Sequence, residues 1–318
     1  MQSYRRGVIY AVLAGVFLSS SGLLVRNIEQ ASAWTVLFYR SLAFSVTVFG
    51  FILYRAGQQS RPWLDDFRRL RIGDTVVSVM LAVGFIFYLL SLFHTTVANT
   101  VLLLSTGPFF AAVLGWLLLR EAVHAVTWIA MTIAAVGVYM IVSEGIAGGQ
   151  LTGMVYAVLV VASSAVMVVW LRRAGDRDML AATCLAGVIA AAISYPFVPG
   201  LAIGVQDLVL SLLLGSIQIG IGFILITLAA NSVPAAQVSL LALTETALAP
   251  LWVWIFVGET PARNTLLGGF IVLAAVVLQG VAGLRVRGAS PPSAVPHSDN
   301  SQVVDSSAGT GPNTGKQR

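Results

Sequence analysis

Charge is the scarcest property of this chain. Charged residues make up 10% of its 318 positions and hydrophobic residues 58%, and the mean hydropathy is +0.89. A soluble domain carries roughly a quarter charged residues, so lipid is the expected covering for this apolar surface. Cysteine is confined to Cys184, in an apolar stretch, which excludes an intrachain disulfide and a cysteine-based metal site. Lysine occurs once, at Lys316. There is no P-loop, no HExxH and no Cys/His cluster with metal spacing, so no catalytic residue, cofactor or metal is expected. The net charge of +5 is scattered over short loops with no aromatic-basic patch, which argues against a nucleic-acid partner.

What is abundant is apolar helix. Hydropathy places spans near 7–25, 34–54, 72–91, 97–119, 125–143, 151–171, 180–198, 207–229, 235–257 and 265–284. Each is close to the roughly 20 residues a helix needs to cross about 30 Å of hydrocarbon. No span alternates in the manner of a strand. The opening Arg5-Arg6, apolar run and small residues Ser19-Ser20-Ser21-Gly22 have the outline of a signal peptide. An uncleaved first helix is expected instead, because this segment has a partner inside the chain.

That partner belongs to a repeat. Gly7-Val8-Ile9-Tyr10-Ala11-Val12-Leu13 is echoed by Gly153-Met154-Val155-Tyr156-Ala157-Val158-Leu159. Gly84-Phe85 returns as Gly222-Phe223, Val97-Ala98 as Ala235-Ala236, and Glu121 as Glu259. Five spans per copy is an odd number, so the second copy enters the bilayer upside down. The expectation is an all-α integral membrane protein of ten transmembrane helices, built as two inverted five-helix repeats over 1–143 and 144–287. Residues 288–318, rich in Ser, Pro, Gly and Asn, read as a disordered cytoplasmic tail. Inverted repeats around a midplane site are an architecture of secondary transporters.

Arginine sets the orientation. With the N-terminus inside, inner loops collect Arg5, Arg6, Arg55, Arg61, Arg68, Arg69, Arg71, Arg120, Arg172, Arg173, Arg177, Arg285 and Arg287, while outer loops hold Arg26 and Arg263. By the positive-inside rule both termini are cytoplasmic, in an inner membrane.

The repeat, the helix count and two phrases resemble the EamA family of the drug/metabolite transporter superfamily. The phrases are Thr106-Gly107-Pro108-Phe109-Phe110-Ala111-Ala112 running to Leu119-Arg120-Glu121, and Leu243-Thr244-Glu245-Thr246-Ala247-Leu248-Ala249-Pro250 running to Val257-Gly258-Glu259. The resemblance covers roughly 7–284. It implies a central cavity lined by the first, third, fourth, sixth, eighth and ninth helices, and a small-molecule substrate, with the second half most like exporters of amino acids and related metabolites. The family's usual proline in the ninth helix stands here as Thr246, with Pro250 one turn later.

Glu245 is the outstanding side chain, about ten residues and 14 Å into its span by the helical rise. A carboxylate at that depth costs at least about 2.5 kcal/mol unless it is protonated, paired or facing water. It is the candidate counter-charge for a substrate amine, or the site of a coupling proton; the alternative is a protonated carboxyl bonded to a neighbouring helix. Gln218, among the glycines of the eighth span, and Tyr88 and Ser105, in the third and fourth, are candidate cavity-lining groups. Arg40, beside Tyr39 in the second helix, is a candidate for steering an anionic group. Because the resemblance implies a peripheral second helix, it is expected instead to snorkel to the outer interface or to pair with Glu29 or Glu259. Glu121 and Glu259 are expected to cap the helices that follow them or to staple a gate, and His94 to be an interfacial hydrogen-bonder. The sequence therefore reads as a secondary carrier exporting small metabolites. The alternative, a non-transporting receptor or assembly scaffold, needs a larger recognition loop than the longest inner one, near 55–71.

Overall fold

The computed structural model describes residues 2–120, 123, 125–174, 179–230 and 235–288, and these are helical almost throughout. In chain order the helices are α1 (Gln2–Ser19), α2 (Ser21–Arg26), α3 (Ala33–Gln58), α4 (Leu64–Arg68), α5 (Ile72–His94), α6 (Val97–Leu104) and α7 (Gly107–Leu119). There follow α8 (Ala125–Ala147), α9 (Leu151–Ala174), α10 (Leu180–Ser194), α11 (Val205–Leu213), α12 (Gly222–Ala230), α13 (Ala235–Val257) and α14 (Arg263–Gly288). Among the described residues eight helical stretches are long and apolar enough to cross a membrane, and α13 and α14 contribute two shorter apolar stretches.

Two spans that read as continuous in the sequence are broken, and serine and threonine explain both breaks. Ser19 Oγ donates to the Val16 carbonyl and Ser20 Oγ to the Phe17 carbonyl, each at 2.7 Å, where α1 gives way to α2. Ser105 Oγ donates to Leu102 O and Thr106 Oγ1 to Leu103 O, each at 2.6 Å, where α6 gives way to α7. Hydroxyls bonded back to the preceding turn compete with the backbone ladder and bend helices. Pro108, which lacks an N–H, then sits in the first turn of α7. A third irregularity is the π-helical stretch Leu214–Ile221 between α11 and α12. Pro250, by contrast, lies inside α13, which continues to Val257.

Polar caps gather the connectors at one end of the bundle. The Asp207 carboxylate, in the first turn of α11, accepts from the backbone N–H groups of Glu29, Gln30 and Ala31 at 2.8–3.0 Å. Thr95 Oγ1 donates to Gln150 Oε1 at 2.8 Å, and Asn99 Nδ2 to the same oxygen at 3.0 Å. Thr265 Oγ1 donates to Asn99 Oδ1 at 3.0 Å, bringing the start of α14 to the same place. The opposite end is arginine-rich. Arg55, Arg61 and Arg69 line a polar cavity with Asp66 and Asp74, and Arg61 pairs with Asp66.

The core is formed around α5, the most buried of the eight long spans among the described residues, at 67%. It packs on α9, while α3 packs on α10, α8 on α14, and α1 on α12 and α13. Close approach there needs glycine. A Cβ on Gly215 would collide with the carbonyl oxygen of Arg40, so the π-helical stretch and α3 touch backbone to backbone. Outside, α8 exposes Ile129, Ile133, Val136 and Tyr139, an apolar face suited to lipid.

Candidate functional site

The break between α1 and α2 is a junction for three other helices. Gln218 Nε2 donates to the Leu18 carbonyl at 3.1 Å, Trp252 Nε1 donates to Ser19 Oγ at 2.9 Å, and the Ser21 and Tyr88 hydroxyls bond each other at 2.5 Å. Within four residues the chain thus touches the π-helical stretch, α13 and α5. The kink that places these groups comes from the serines themselves. A groove of about 380 Å³ runs beside it, lined almost wholly by apolar groups, among them Val16, Phe17, Leu24, Ile217 and Trp252.

Tyr88 is the centre of the charged cluster. It is 8% exposed, and its ring lies 5.9 Å from the Arg40 Cζ, with Phe85 on the same guanidinium at 5.7 Å. Tyr88 is also within electrostatic range of Glu245. Glu245 is half-buried and forms no hydrogen bond among the described residues. It lies ten residues from the start of α13 and twelve from its end, or about 15 and 18 Å by the helical rise.

Arg40 departs from its expected setting. It neither reaches an interface nor pairs with Glu29 or Glu259, and it is 2% exposed. Among the described residues its one hydrogen bond is from Nη1 to the Phe85 carbonyl, at 3.4 Å, and Nε and Nη2 have no partner. The expected partners are engaged elsewhere: Glu29 accepts from Gln206, and Glu259 pairs with Arg26. Gln218 is also buried, and its Oε1 lacks a partner among the described residues.

Glu259 does not cap α14, the helix that follows it. One carboxylate oxygen accepts from the backbone N–H of Val97, at the start of α6, and the other from Arg26 Nε at 2.6 Å. Arg26 also donates to the carbonyls of Leu92 and Thr95 at 2.7 Å, covering the free C-terminal carbonyls of α5. One ion pair therefore joins four elements. Its partner in the repeat, Glu121, lies outside the described residues.

The other candidates stand apart from the cluster. The Ser105 hydroxyl is returned to its own helix, and His94 is exposed at the end of α5, with Nδ1 on the Leu90 carbonyl and its ring edge on Tyr156. Sequence reasoning missed Ser21, whose only signal was its place in a serine triplet, and Arg26, which read merely as a loop arginine.

A model of the EamA-like transporter family matches this chain twice, over residues 5–143 and 151–280. The chain is 27% identical over 207 residues to the uncharacterized transporter YdfC of Bacillus subtilis, covering 61% of this chain and 67% of that one. It is 25% identical over 280 residues to an uncharacterized transporter of Archaeoglobus fulgidus, covering 86% of this chain and 96% of the other. Its fold is similar to that of a solved crystal structure with a TM-score of 0.60, at 14% identity, over 88% of this chain and 98% of that one.

Proposed function

Because the chain belongs to the EamA-like transporter family, we propose that it is a secondary carrier exporting small polar or amphipathic metabolites, amino acids among them, by alternating access. It crosses the inner membrane ten times with both termini in the cytoplasm. Residues 1–143 and 144–287 form two inverted halves, and 288–318 a cytoplasmic tail.

Helix pairing supports the inverted repeat. Exchanging each span with its counterpart five places on maps α5 against α9 onto α12 against α1, and α7 against α9 onto α13 against α1, and all four contacts occur. The contacts of α3 with α10 and of α8 with α14 map onto themselves. Two successive matches to one family model point the same way.

The observation that carries the functional reading is the polar cluster of Arg40, Tyr88 and Glu245 inside an apolar bundle, beside a broken helix. Ionisable groups within a membrane are costly and mark solute or proton paths, and discontinuous helices form transporter binding sites. Glu245 takes the solute's positive group or a coupling proton; Tyr88 and Gln218 line the path. The Arg26–Glu259 pair closes the outer end, and rocking of the two halves breaks it. Metabolite profiling of cells with and without the protein, followed by uptake and efflux in proteoliposomes, tests this. Accumulation of specific amino acids in cells lacking the protein, and their movement in proteoliposomes, is the expected result. Unchanged pools and inert vesicles contradict it.

A further inference from the structure

The guanidinium of Arg40 is a permanent positive charge, placed about 10 Å from the start of α3 and 2% exposed. A buried charge without a compensating partner is expensive. Among the described residues no carboxylate pairs with it. Its compensation is one long bond to the Phe85 carbonyl and the faces of two aromatic rings. The unpartnered atoms, Nε and Nη2, share the guanidinium edge whose N–H bonds run parallel, the edge that grips both oxygens of a carboxylate.

A second feature marks the same place. Backbone contact between Gly215 and Arg40 sets the π-helical stretch against this part of α3, and π-helical turns occur frequently at functional sites. That stretch carries the unpartnered Gln218 Oε1, an acceptor for a solute N–H or O–H.

On the transport reading above, we infer that Arg40 binds the carboxylate of the transported solute through Nε and Nη2. A phosphate dianion has similar oxygen spacing, but one arginine neutralises only half of its charge and Glu245 opposes the rest. A monoanionic carboxylate matches the single cation. With Glu245 ionised, the site is balanced for a zwitterion.

The test uses the purified full-length protein and matched sets of solutes: aliphatic, aromatic and basic α-amino acids, the amide of each, and the corresponding decarboxylated amine. Inorganic phosphate serves as the competing anion. Binding is read from thermal stabilisation of the wild type, Arg40→Lys and Arg40→Gln. In the wild type at least one acid binds about ten- to a hundredfold more tightly than its amide, the loss expected for removing a charge-assisted hydrogen-bonded pair. Arg40→Gln abolishes that preference, and Arg40→Lys, with a point charge in place of a fork, keeps part of it. Equal binding of acid and amide by the wild type, a preference that survives in Arg40→Gln, or stronger binding of phosphate overturns the assignment. If Arg40→Gln does not fold, the wild-type acid-to-amide ratio and the Arg40→Lys variant carry the test. Proteoliposomes separate the two levels. Movement of amines or amides without acids leaves the transport reading standing and removes the carboxylate site, whereas no movement of any solute by folded protein removes both.

Discussion

Arg26 and Glu259, 233 residues apart in sequence, form an ion pair with 2.6 Å between Nε and Oε2. The pair sits where α2, α5, α6 and the end of α13 meet, because each partner also satisfies free backbone groups of a neighbouring helix end. Removing either side chain therefore leaves both an unpaired charge and uncapped helix termini.

This pair is expected to behave as a latch rather than as a surface contact. With Cys184 replaced by serine, a cysteine at position 21 reports access from the Glu259 end. Arg26→Gln and Glu259→Gln should each raise maleimide labelling about fivefold or more, the population change that ~1 kcal/mol carries. The swap Arg26→Glu with Glu259→Arg should not restore protection, since glutamate cannot donate to the Leu92 and Thr95 carbonyls. Full restoration would reduce the latch to a simple charge pair.

Gly215 should tolerate no side chain. Its neighbour is the Arg40 backbone, which cannot yield as a flexible side chain does. Gly215→Val is expected to lose about 1–3 kcal/mol of stability to overpacking, seen as a lower melting temperature. Gly50→Ala, with nothing within 4 Å of the added methyl, is the control. Equal melting temperatures for the two variants would contradict the close approach.

Topology offers a third check. A reporter active only outside the cytoplasm should be silent when fused after Arg71 or Arg177, and active after Gly148 or Gly204. Arg177 lies outside the described residues, so its side of the membrane rests on arginine segregation alone. Activity at Arg177 would break the inverted arrangement.

The parts legible in the sequence were those encoded locally. Span positions follow from runs of apolar residues, and the place of Glu245 midway along α13 follows from counting along one helix. The breaks at Ser20 and Ser105 were written in the sequence too, yet they carry no hydropathy signal, because a serine bonded to its own helix stays apolar in outline. The pairing of Arg26 with Glu259 and the three bonds of Asp207 join segments far apart in sequence, and no periodicity announces such contacts. Arg40 was misplaced for a related reason. Counting put it near a helix end, where arginines snorkel, but the aromatic rings of α5 hold it inside.

The most direct measurement concerns Glu245, the acidic member of the interior cluster. Glu245→Gln keeps shape and hydrogen-bonding capacity while removing negative charge and titration. Initial rates of uptake in proteoliposomes, at matched protein content and with folding verified, should fall for every solute if the residue carries a coupling proton, and dependence on a pH gradient should vanish with them. If it recognises an amine, cationic and zwitterionic solutes lose their rate while neutral ones keep theirs. Wild-type rates for Glu245→Gln with every transported solute would contradict the account.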